Sequence, residues 1–216
     1  MAAGDDRRAN RRLHRGRARL RHRETGIRPA VIGEIGTGYP LLPRELVVLE
    51  AAGQAAVRTG APVNVHVSPY GREGVGIARR LTSLGVPPER VVLSHMDSNT
   101  ALDREYHREL LELGIVIEFD NFGCENYSVQ SGRFLRNNSD YERMQHIAEL
   151  VAEGYGRQLT IGCDVYTKTQ LTSFGGLGYD HLHKRIAPTL LEWFDVDASA
   201  IEEIVRNTPR RLLDWA

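Results

Sequence analysis

The sequence predicts an α/β fold built on a parallel sheet, and three observations predict it. Short, β-branched apolar runs recur near residues 30–35, 62–67, 90–95, 115–119 and 158–163. Between them lie stretches with apolar or small residues at helical spacing, and glycines at 60, 85 and 114 close the first three. Side chains capable of metal or proton chemistry fall where four of the runs end: Glu34, His66, His95 and Asp164. Strict alternation of strand and helix implies right-handed crossovers. Both (β/α) barrels and doubly wound open sheets place their chemistry at such strand ends. No GxGxxG follows the first strand, which weighs against dinucleotide binding.

The elements follow in order. The run Ala30-Val-Ile32 leads into Glu34, Gly36, Thr37 and Gly38. Pro43 suits the first turn of a helix over Arg44–Thr59, with Leu46, Leu49, Gly53 and Ala56 on one face. Pro62–Val67 is the second strand and Glu73–Leu84 the next helix. Arg90–Ser94 is the third strand, ending at His95. Thr100 is the expected N-cap of a helix running to Leu113. The strand Ile115–Phe119 ends near Asp120-Asn121, and Gly123–Ser139 reads as a long polar loop. A helix over Tyr141–Glu153 precedes the fifth strand, Arg157–Cys163, and a glycine-rich loop runs through Gly178. Helices over Tyr179–Phe194 and Ala198–Arg206 and a last turn, Pro209–Trp215, close the chain.

At 216 residues, with 41% hydrophobic and 26% charged residues, the chain has the length and composition of one globular domain. Zero formal net charge gives it no overall bias toward nucleic acid or membrane surfaces, and no apolar run approaches a membrane span of about 20 residues. Two cysteines, Cys124 and Cys163, without a CxxC pattern suit a reducing cytoplasm. The charge is uneven, since residues 1–28 hold arginines at 7, 8, 11, 12, 15, 17, 19, 21, 23 and 28 against Asp5, Asp6 and Glu24. That segment reads as a basic, disordered leader, and residues 29–216 as the folded domain. An arginine-rich arm for nucleic acid and a transit peptide are the rival readings. Nothing downstream looks like a nucleic-acid reader.

Taken singly, each strand-end residue has a plainer explanation. Glu34 suits an ion-paired strand end, His66 a satisfied core histidine, and Asp164 a helix cap. His95 lies in Ser94-His-Met-Asp97, where Asp97 is placed to orient the ring or shape its loop. Four such residues at equivalent ends of different strands are hard to explain as four accidents. Imidazoles and carboxylates together suit Zn²⁺, Mn²⁺ or a similar ion, and metal-assisted hydrolysis is the implied reaction class.

Val31–Ala216 resembles the C-terminal portion of a phosphotriesterase-like protein of the amidohydrolase superfamily. The matching segments are Gly33-Glu-Ile-Gly-Thr37, Val65-His66, Ser94-His-Met-Asp97, Gly162-Cys-Asp164, Gly175-Gly-Leu-Gly-Tyr-Asp-His181 and Asn207-Thr-Pro-Arg-Arg-Leu212. The resemblance implies a partial TIM (β/α)8-type barrel covering about the last five βα units. It implies a hydrolase of ester, lactone or phosphotriester-type bonds, acting on a small-molecule substrate through metal-activated water. Glu34 would take the strand-four bridging position, as in the phosphotriesterase-homology subgroup. His66 and His95 would ligate the more exposed metal, and Asp164 would ligate the buried one and accept the proton. Tyr179 would border the substrate pocket.

Relatives carry a His-x-His pair at the end of strand one, and no such pair precedes the Glu34 strand here, where His14 and His22 lie eight positions apart. Three further βα units need roughly 90 residues at about 30 each, and 28 precede the Glu34 strand. The expectation is therefore a truncated member that binds one ion instead of two, with turnover in doubt. The alternative is a non-catalytic fragment or half-barrel, completed by a homodimer or a complementing N-terminal half. Removing residues 1–28 is expected to leave thermal unfolding almost unchanged. A large fall in the midpoint by circular dichroism would make them part of the core.

Overall fold

Five parallel strands hydrogen-bond side by side in chain order: β1 (Ile32–Gly36), β2 (Val63–His66), β3 (Val91–Ser94), β4 (Val116–Phe119) and, after an intervening hairpin, β7 (Leu159–Ile161). The computed structural model describes residues 29–130 and 132–214, so the expectation of a disordered leader lies outside the described residues. Helices α1 (Pro43–Thr59), α2 (Gly74–Ser83), α3 (Arg104–Glu112) and α4 (Asp140–Ala152) form the crossovers. The five expected strands and their order are thus present, as sequential units of a (β/α) barrel.

Side chains alternate across the sheet because the strand period is two. Val63, Val65, Val91, Leu93, Ile117, Phe119 and Leu159 bury against Leu49, Ile77, Leu81, Leu110, Ile147 and Leu150 of the helices. The opposite face carries Asn64, Ser94, Glu118 and Thr160 among its residues. On that face Val92 and Val116 pack with Leu212 of α7 (Thr208–Leu213).

Four local expectations are corrected. The stretch Gly123–Ser139 is not simply a loop, because it holds an antiparallel hairpin, β5 (Tyr127–Gln130) and β6 (Arg133–Arg136). Gly132, at φ +76°, supplies the turn, and the Tyr127 and Phe134 rings pair across it at 5.5 Å. Helix α3 begins after Asp103 instead of Thr100. The Asp103 carboxylate accepts the Tyr106 N–H at 2.9 Å, whereas the Thr100 hydroxyl donates to the Pro69 carbonyl at 2.6 Å. The helix expected from Tyr179 begins with a wide turn, Leu182–Ile186, that runs into α5 (Ala187–Trp193). Finally, α6 (Ala198–Glu202), the wide turn Glu203–Asn207 and α7 run on without a break. Pro209 sits directly after the wide turn, at the second residue of α7.

Helix α3 also buries a histidine. His107 is fully buried, and its Nε2–H donates to the Met96 carbonyl at 2.7 Å, holding the loop that follows His95. Burial pulls the pKa of this ring down to about 4, from about 6.5 for an unfolded histidine. The unfolded chain therefore takes up the proton first, and stability falls as pH drops from about 6.5 toward about 4, by roughly 3 kcal/mol. His107→Gln keeps a donor for Met96 but cannot titrate. It is expected to lose less stability than the wild type between pH of about 7 and about 4.5 in urea unfolding; equal losses would disprove this assignment.

Candidate metal centre

Strand β1 does not run evenly along β2. Ile32 pairs with Val63 and Ile35 with Val65, so β1 carries one extra residue across this interval. A bulge of this kind bends the strand and re-aims a side chain, and Glu34 lies within it. Gly33 makes the approach feasible: at φ +153°, a Cβ there would stand 2.5 Å from the Asn64 carbonyl oxygen. Beyond β1, Glu45 of α1 accepts the N–H groups of Leu42 (2.8 Å) and Gly38 (3.2 Å), tying down the following loop.

Three ligand-capable atoms converge at the strand ends. His95 Nε2 lies 2.7 Å from His66 Nδ1 and 3.2 Å from Glu34 Oε1, and His66 Nδ1 lies 3.8 Å from Glu34 Oε1. All three sit within 4.8 Å of one another. The His95 ring is fixed from behind: Asp120 Oδ1 accepts from both its Nδ1–H (2.9 Å) and its backbone N–H (3.0 Å). Burial disfavours a charged His95 ring, but the hydrogen bonds to Asp120 and Glu34 outweigh it and hold its pKa up at about 11. His95 Nε2 thus faces His66 Nδ1 and Glu34 Oε1 together. Burial, and next the neighbouring His95, keep the His66 pKa down. The hydrogen bond to His95, followed by the charge of that ring, holds the Glu34 pKa down despite partial burial. Two imidazoles and a carboxylate converging on one point make a ligand set that suits a borderline divalent cation.

Asp164 stands apart from this trio but lines the same cleft of about 280 Å³. Partial burial raises its pKa; His95 and His66 oppose the shift and Glu34 adds to it. His95 at φ +64° and Asp164 at φ +37° are non-glycine residues in the left-handed region, a conformation that clusters at functional sites. Pro69, Ser98, Asn121, Leu135, Asn137 and Tyr166 also line the cleft. Tyr179, expected at the pocket, is 72% exposed and is not among the lining residues; Tyr166 is the aromatic residue there.

One expectation about a neighbour changes. Asp97 does not orient the His95 ring; its carboxylate is spent on Arg143 Nε (2.8 Å) and on the Asn121 N–H (2.9 Å). Asp120 has the orienting role, and its signal was a carboxylate directly after an apolar strand. Glu118 also went unnoticed. It is half-buried on the sheet face opposite the core helices, accepts from Asn64 Nδ2 at 3.1 Å and lies 2.8 Å from the Ser94 hydroxyl; removal from water raises its pKa despite those bonds.

A run of parallel βα units with its polar residues gathered at the strand ends defines a segment of a (β/α)8 barrel. Comparison with known proteins agrees. The profile of the Phosphotriesterase family matches residues 21–213. The N-acetyltaurine hydrolase of Danio rerio is 36% identical over 194 residues, which cover 88% of this chain and 54% of that protein. A resiniferatoxin-binding protein from Rhodobacter sphaeroides superposes with a TM-score of 0.82 at 30% identity, over 89% of this chain and 53% of that one. A mutant PTE-like lactonase from Deinococcus radiodurans gives a TM-score of 0.74 at 28% identity, over 97% and 65% of the two chains. The chain belongs to the phosphotriesterase family. It spans about half the length of the curated relatives it matches. No helix among the described residues is long and apolar enough to cross a membrane.

Proposed function

We propose that this chain carries the metal-binding half of a hydrolase active site that cleaves acyl bonds of small molecules: esters, lactones or N-acyl amides. The observation that carries the reading is the convergence of Glu34 Oε1, His66 Nδ1 and His95 Nε2 on one point at the strand ends. The amide class enters through the N-acetyltaurine hydrolase relatives and the lactone class through the PTE-like lactonase. A divalent ion, Zn²⁺ or Mn²⁺, held by these three residues supplies Lewis acidity that polarises an acyl carbonyl and acidifies water.

The chain's own residues do the rest. Glu34 stays anionic, which favours a cation beside the two rings. Asp120 holds the His95 ring so that Nε2 faces the cleft. The Asp164 carboxylate, which lines the same cleft, takes the proton that water loses on attack. Leu135, Pro69 and Tyr166 offer apolar contact to an acyl chain, while the Asn121 and Asn137 side chains offer polar contact.

The separation of Asp164 from the three clustered atoms favours a second reading, a one-ion binding site without turnover. Elemental analysis together with an ester, lactone and N-acetyltaurine screen separates the two. Zinc with turnover supports the first reading, zinc without turnover the second, and no divalent metal disproves both. His66→Ala is expected to lose most of its bound zinc. Asp164→Asn is expected to keep the ion and lose roughly 10²–10⁴-fold in turnover. Unchanged zinc content in His66→Ala would mean the ligands are wrongly assigned.

A further inference from the structure

Behind His95 lies a buried polar cluster that the proposed chemistry does not use. Arg143, on α4, is fully buried, and all three of its guanidinium nitrogens are engaged. Nε donates to Asp97 Oδ2 at 2.8 Å, Nη1 to Asp140 Oδ1 at 2.9 Å, and Nη2 to the Cys124 carbonyl at 3.1 Å. Asp97 is equally buried and also accepts from Asn121, through its backbone N–H at 2.9 Å and its Nδ2 at 2.8 Å. The same Nδ2 reaches Asp120 Oδ1 at 3.1 Å, the atom that receives both the ring and the backbone N–H of His95. A continuous chain of hydrogen bonds therefore runs from Arg143 through Asp97, Asn121 and Asp120 to the His95 ring. A purely structural ion pair needs a paired, filled interior; it does not need to terminate on the residue that sits at φ +64° facing the cleft.

We propose that Arg143 is a positioning residue for His95: by locking Asp97 and Asn121 it fixes the Asp120 carboxylate that aims His95 Nε2 at Glu34 and His66. The consequence for metal affinity rests on the metal-centre reading, whereas the positioning is a property of the metal-free chain. Outer partners of metal-binding histidines set ring orientation and typically carry about 10–100-fold in affinity. Arg143 acts at a further remove, so its effect belongs at the lower end of that range.

The test compares the wild type with Arg143→Met, Arg143→Lys and a control, Leu150→Ala. The control removes a fully buried side chain from the same helix without touching the polar chain. Two quantities are read below the melting temperature. One is solvent exchange of the His95 Nδ1–H in the metal-free protein, by ¹H–¹⁵N spectroscopy; the other is the Co²⁺ dissociation constant. Arg143→Met is expected to speed the ring-proton exchange and weaken Co²⁺ binding, each by about tenfold. Arg143→Lys is expected to recover part of both, and Leu150→Ala to change neither despite its lower stability. Should Arg143→Met not fold, Asn121→Ala cuts the same chain closer to the ring, with the same expected result. Unchanged exchange and affinity in the folded variants would overturn the proposal, as would equal shifts in Leu150→Ala. A wild type that takes up no Co²⁺, alongside faster ring-proton exchange in Arg143→Met, would leave the positioning standing and remove the metal-centre reading.

Discussion

The grip of Asp120 on His95 is the contact on which the site geometry depends. A non-glycine residue at φ +64° costs about 1–3 kcal/mol and persists only where its surroundings over-determine it. Here Asp120 Oδ1 takes the backbone N–H and the ring Nδ1–H together. The next residue is held at both its backbone groups, with Met96 N–H donating to the Glu118 carbonyl at 3.0 Å and the Met96 carbonyl accepting from His107. With four hydrogen bonds across two residues, the loop has little room to relax, and Nε2 stays aimed at Glu34 and His66.

That grip rests on a buried hydrogen-bond network around it. Arg143 and Asp97 are both inaccessible to solvent, and removing one member of such a pair typically costs about 3–5 kcal/mol. Asp140 joins the cluster through Arg143, His181 and the Gly123 N–H, while the Asn138 side chain donates to the Asp97 carbonyl. The loops after β3 and β4, the start of α4 and the residue before the Leu182–Ile186 turn are thereby fastened together. Such a base suits a site whose ligands come from separate strands, because each ligand inherits the placement of its own loop. The hairpin β5–β6 extends the same base over the cleft, contributing Leu135 and flanking Asn137 to its wall.

Much of the scaffold was legible in the chain, and the misses share a cause. The strands of Val63, Val91 and Ile117 announce themselves because both faces of a covered parallel sheet favour β-branched runs. Glu34, His66, His95 and Asp164 were visible as polar interruptions at the ends of those runs, and the first three do converge. Asp120 occupies an equivalent place, but beside Asn121 it reads as a turn. Asp97 looked like the orienting residue because it is two positions from His95, whereas the real partner is 25 positions away. Thr100 and Asp103 are both competent caps; a hydrogen bond to Pro69, 31 positions back, removes Thr100 from the choice. Tyr166 and Tyr179 flank one glycine-rich loop, and only its folded path brings Tyr166 to the cleft.

The sequence by itself determined the order of strands and helices, the parallel sheet, and which residues stand at strand ends, because periodicity and glycine placement act over a few neighbouring positions. The tertiary structure alone decided which of those residues meet. A bulge opposite Val63–Val65 turns Glu34, a left-handed backbone turns His95, and an aspartate from the next strand end fixes its ring. Each of these depends on a close approach between segments far apart in the chain. The energy of that approach comes from the packed core and the buried hydrogen bonds, and it is not encoded at any single position.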